Sequence, residues 1–141
     1  DTLASAGVSQ DSTRLIGGGQ WEGDSRISGN PNLAGAWYAA PPRQGFAAFA
    51  QRYRSAYSSE PPRNATIAYD ATVLAAGLVR QFGGERFSQK VLTNPNGFAG
   101  IDGVFRFLPD GSNDRQLAIF EVTGSGTTIA QPAPRSFAGG T

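Results

Sequence analysis

Apolar residues along this chain follow two spacings, and each predicts its own kind of element. From about Gly45 to Tyr57, the residues Phe46, Phe49, Ala50, Tyr53 and Tyr57 fall three and four apart, which sets one stripe on a helix. Gln51, Arg52 and Arg54 take the wet face, and an aromatic stripe at this period reads as core. A longer helix is predicted from Ala65 to about Phe82, with Asn64 as its N-cap and Gly83-Gly84 as its stop. Its main stripe is Ile67, Ala71, Leu74, Leu78 and Phe82. Ala68, Ala75, Ala76 and Val79 widen the stripe, so this helix is expected to be mostly buried. A short helix is expected around Arg86 to Leu92.

Shorter apolar runs predict strands. Arg14-Leu15-Ile16 runs into Gly17-Gly18-Gly19-Gln20-Trp21, and Leu33 to Ala40 is closed by Pro41-Pro42, which ends any regular element. After turns at Asn94-Pro95-Asn96-Gly97 and Gly100-Ile101-Asp102-Gly103, three strands follow: Val104–Leu108, Gln116–Val122 and Thr127–Ala130. Pro109-Asp110-Gly111 and Gly124-Ser125-Gly126 turn between them, which predicts a C-terminal β-meander. Residues 1–13 read as loop, and Pro132 to Thr141 as a tail. Helices between two groups of strands predict an α/β fold. The first two strands lack a crossover helix between them, which is odd for a self-contained doubly wound domain. That, with an Asp1-Thr2-Leu3-Ala4 start that has neither Met nor an apolar leader, predicts a fragment of a larger protein.

Composition narrows the chemistry. Twelve Lys+Arg face eleven Asp+Glu, and the arginines are scattered, so no single-signed field draws in nucleic acid. No run of about 18 apolar residues exists, so no membrane insertion is expected of this segment. Cysteine and histidine are both absent. Disulfides, thiolate zinc sites and iron–sulfur clusters are thereby excluded, and acyl-transfer triads and most relays near neutral pH lose their usual groups. No pair of carboxylates is placed by sequence in an apolar cleft. The expectation is a binding module, not an enzyme, with neither metal nor cofactor.

One place suits a ligand. The glycines after the first strand let backbone approach a bound molecule closely, although a plain strand-to-loop turn uses the same residues.

The order of these marks resembles the C-terminal part of the type I periplasmic binding proteins, the branched-chain amino acid binding family. The marks are Leu15-Ile16-Gly17-Gly18-Gly19-Gln20-Trp21; Gly35-Ala36-Trp37-Tyr38-Ala39-Ala40-Pro41; the helix Phe46, Phe49, Arg52-Tyr53 and Tyr57; Ala68-Tyr69-Asp70-Ala71; and Gly97-Phe98-Ala99-Gly100-Ile101-Asp102-Gly103 with Phe105-Arg106-Phe107, Asp110-Gly111 and Arg115. They span about Arg14 to Pro134.

The resemblance implies part of a two-lobed α/β fold that closes on a ligand in the cleft. Residues 1–38 would belong to the second lobe, 39–108 to the first, and 109–141 to the hinge return and second-lobe strands. It implies ligand contacts at Gly18, Gly19, Gln20 and Trp21, and at Asn64 and Ala65. Tyr69-Asp70 is expected to position its helix by packing. Amino-acid binders of the family present an acid near Gly19 to hold the ammonium; here Glu22 is the nearest acid. The implied function is the solute-binding component of a bacterial ABC importer in the periplasm, with a small polar ligand such as a branched-chain amino acid or amide and a transporter permease as partners. The alternative on the same scaffold is a penicillin-binding-protein activator that docks onto a cell-wall synthase. Open strand edges predict self-association of the fragment.

Overall fold

The computed structural model describes residues 5–8 and 13–137. Most of the loop expected at 1–13 lies outside these, as do the last four positions of the expected tail. In chain order the elements are β1 (Ile16–Gly17), β2 (Trp37–Ala40), α1 (Arg43–Tyr57), α2 (Ala65–Phe82), α3 (Gln89–Leu92), β3 (Phe98–Gly100), β4 (Gly103–Phe107), β5 (Asn113–Arg115), β6 (Ala118–Thr123) and β7 (Gly126–Gln131). Single 3-10 turns occupy Gly19–Trp21, Pro31–Leu33 and Gly83–Glu85. The chain folds into two units. Unit 1 comprises Asp1–Ala40 and Leu117–Ala133, and unit 2 comprises Pro41–Gln116 and Pro134–Thr141.

Unit 1 is built on a four-stranded sheet of order β1-β2-β6-β7. β1 runs parallel to β2, and the other pairs are antiparallel. Alternation decides its core. In β2 and β6 every second residue points inward, which buries Ala36, Tyr38, Ala40, Ala118, Phe120 and Val122 together. Tyr38 pairs with Phe120 across the strands and their rings stack at 5.3 Å. Leu15, Trp21, Ile27, Leu33 and Ala133 pack around this cluster.

Unit 2 holds the helices and a three-stranded antiparallel sheet of order β3-β4-β5. The α1 stripe forms as its spacing predicts: Phe49 and Ala50 are buried, and the Phe46, Phe49, Tyr53 and Tyr57 rings follow one another at 4.6–6.3 Å. Helix α2 has the predicted bounds and ends at Gly83, whose φ of 50° is the left-handed turn glycine permits.

Several sequence-based expectations are corrected. The C-terminal strands divide: the meander is β3-β4-β5, and the hairpin β6–β7 joins the unit 1 sheet through β2. Helix α2 is not mostly buried. Its covered side carries Thr66, Asp70 and Leu78, whereas Ile67, Val73, Val79 and Phe82 are exposed. A helix apolar on almost every side does not tell which side is used, and polar contacts described below choose it. Asn64 has helical φ/ψ and makes no side-chain capping bond. Within the expected tail Phe137 is buried, only 8% exposed.

Candidate functional site

The glycine-rich turn belongs to unit 1 and follows directly on β1. Gly18, Gly19 and Gln20 are exposed, and the segment Gly19–Trp21 winds as one 3-10 turn closed by Trp21 N–H to Gly18 C=O at 3.0 Å. One of the glycines is required sterically: a Cβ on Gly17 would run into the Trp21 indole, whereas one on Gly19 would make a tight contact, 3.3 Å, with the Ala39 carbonyl. Trp21 itself is half-buried and leans on Tyr38, ring centroids 6.1 Å apart, so its indole serves the unit 1 core. Of the four expected contacts in this turn, Gly18, Gly19 and Gln20 present exposed atoms.

Glu22 is engaged. The Tyr38 phenol, 1% exposed, donates to its carboxylate at 2.8 Å. The other described carboxylates of unit 1 are also bonded. Asp24 takes the Arg26 guanidinium in a fork at 2.7–3.2 Å, which holds its carboxyl down at about 2. Glu121 accepts the Trp37 indole N–H at 2.8 Å, with Arg14 lying over the Trp37 ring and 3.8 Å from Glu121.

Asn64 and Ala65 belong to unit 2, so the two expected contact segments lie in different units. Asn64 is exposed and Ala65 half-buried. Around them the α2 start is fixed by the turn between β3 and β4. Asp102, 4% exposed, accepts the Thr66 hydroxyl at 2.6 Å and the Arg63 guanidinium at 2.9 Å, both on Oδ2. Its Oδ1 is buried with no hydrogen-bond partner among the described residues. Arg63 also lies over the Phe46 ring at 4.6 Å. One helical turn on, Asp70 accepts the Ile101 N–H on both oxygens, at 2.9 and 3.0 Å. Gly100 is required there, because a Cβ would run into the Asp70 carboxylate, and one on Gly45 of α1 would run into the Ile101 carbonyl. The Gly-Ile-Asp-Gly turn is thus a wedge between α1 and α2. This accords with Asp70 positioning its helix; Tyr69 is 42% exposed and meets Phe49 edge-on at 5.4 Å.

Sequence reading did not find the Arg63–Asp102 or Tyr38–Glu22 contacts. Their partners are 39 and 16 residues apart, and no local pattern links them. Among the described residues no group of three or more acids could hold a metal ion. No helix among them is long and apolar enough to cross a membrane.

No protein-family model and no curated protein matches the chain. Solved structures do. A crystal structure assigned to a branched-chain amino acid ABC transporter from Rhodospirillum rubrum superimposes with a TM-score of 0.65 at 21% identity, over 91% of this chain and 39% of that one. An ABC transporter substrate-binding protein from Desulfitobacterium hafniense superimposes with a TM-score of 0.56 at 18% identity, over 90% of this chain and 38% of that one. The fold is therefore the α/β fold of the type I periplasmic binding proteins, over a stretch consistent with their C-terminal portion. The chain spans less than two-fifths of the length of the structures it resembles.

Proposed function

We propose that this chain is part of the extracytoplasmic solute-binding component of a bacterial ABC importer. The supporting observation is the superposition on such a transporter protein over 91% of the chain. In this reading the solute is small and polar, such as a branched-chain amino acid or amide. The ligand contacts of this reading are Gly18, Gly19, Gln20 and Trp21, with Trp21 backing the turn, and Asn64 and Ala65. Residues 1–38 serve the second lobe, 39–108 the first, and 109–141 the hinge return and the second-lobe strands β6 and β7. The partner is a transporter permease, and no catalytic step is assigned.

A second reading has one observation in its favour. Glu22, the acid nearest Gly19, is bonded to Tyr38. A chain that holds no amino acid would spend that acid on structure, as a penicillin-binding-protein activator docking onto a cell-wall synthase would.

A melting screen of the full-length protein against amino acids, amides and small organic acids separates the two. A solute at a hundred times its Kd stabilises by about 2.7 kcal/mol, a shift easily read. A saturable shift supports the importer component and names its solute. A flat screen on a well-folded protein favours the synthase activator.

A further inference from the structure

The Arg63–Asp102 pair is costly to bury and is poorly explained as a stabiliser. Asp102 is 4% exposed, yet only Oδ2 is bonded. Taking a carboxylate out of water is costly, and one ion pair seldom returns a surplus. What the pair does achieve is to hold a guanidinium still. Arg63 is gripped through NH1 by Asp102 at 2.9 Å and Thr66 at 3.3 Å, and its Cζ lies 4.6 Å from the Phe46 ring centroid. Thr66 is fully buried, so the grip is anchored inside unit 2. Nε and NH2 of Arg63 make no hydrogen bond to any described residue, and its side chain is 40% exposed. A fixed guanidinium with two unused donor nitrogens is suited to a carboxylate, which it meets with two parallel N–H···O bonds. The rotamer entropy of the arginine is already spent in the folded protein, so little is lost when a ligand arrives.

We propose that Arg63 is a specificity-determining residue for a solute that carries a carboxylate, and that Asp102 and Thr66 are its positioning residues. This rests on the solute-binding reading above and narrows it. The contact adds a charged group beside Asn64 and Ala65, which by themselves offer only backbone groups and the neutral Asn64 amide.

The test uses the full-length protein and paired probes: leucine with leucinamide, 4-methylpentanoate with 4-methylpentanamide, and benzoate with benzamide. Calorimetry is expected to show at least one acid binding ten or more times tighter than its amide. Arg63→Gln is expected to remove that preference. Arg63→Lys keeps the charge but not the fork, and is expected to lose about tenfold in affinity for the acid with little change in melting temperature; it also serves if Arg63→Gln does not fold. An acid that binds Arg63→Lys and wild type equally overturns the proposal and leaves the solute-binding reading standing. Amides that bind as well as their acids do the same. A protein that binds none of a broad solute panel overturns both.

Discussion

The buried phenol of Tyr38 donates a 2.8 Å hydrogen bond to Glu22, and this ties the glycine-rich turn to the sheet that carries it. Tyr38 sits on β2 with its ring stacked on Phe120 of β6, and Glu22 closes the 3-10 turn that follows β1. Tyr38→Phe keeps the ring and removes the donor. It is expected to cost about 1.5–3 kcal/mol, the usual net worth of a bond to a charged group, measured by urea unfolding. Tyr38→Ala adds a cavity and is expected to cost about 3–5 kcal/mol, by analogy with other buried aromatic truncations.

Gly100 and Asp70 form a second coupled pair. Gly100→Ala drives a methyl group into the Asp70 carboxylate that holds the Ile101 N–H. Either Gly100→Ala or Asp70→Ala alone is expected to destabilise by about 1–3 kcal/mol, through the lost bond between the buried Asp70 carboxylate and a half-buried amide. Because both remove the same contact, the double variant is expected to cost much less than the sum. A double-mutant cycle by denaturant titration checks this; additive costs would mean that the two residues act separately.

Phe137 turns the end of the chain into a packed segment. It lies under the Arg106 guanidinium at 4.3 Å, and a Cβ added to Gly97 would come within 3.0 Å of its ring. Phe137→Ala is expected to cost about 3 kcal/mol, the lower end for a buried Phe. Truncation before Pro134 is expected to cost at least as much. Thermal unfolding of the two variants is the measurement.

Asp24 should titrate low. The Arg26 fork and its backbone N–H hold the carboxyl at about 2 against an ordinary 3.8. A folded-state value below the unfolded one means that the contribution is complete above the unfolded pKa of about 4 and is lost as pH falls toward 2. Carboxyl-carbon NMR is expected to give a midpoint near 2, and Arg26→Ala to return it toward the ordinary range. The pair sits at the surface, with the Arg26 side chain 87% exposed, so global stability is expected to change little.

Local physics made some of this legible from the chain alone. The 3.6 period of Phe46, Phe49 and Tyr53 set α1, and Asn64 and Gly83 bracketed α2, because helices form from contacts three and four residues away and stop where glycine permits a reversal. The order of short motifs pointed to the fold that the superpositions share. Which strands pair was not legible. β4 and β6 lie eleven residues apart yet join different sheets, since sheet partners are chosen by which apolar faces meet, and Tyr38 finds Phe120 across more than eighty positions. The covered side of α2 was also undecided by its sequence, which is apolar nearly all round. Thr66 and Asp70 decide it, because their partners, Asp102 and the Ile101 amide, reach them only once the β3–β4 turn has folded against the helix. Composition and period fixed the elements, and long-range hydrogen bonds to buried polar groups fixed how they were used.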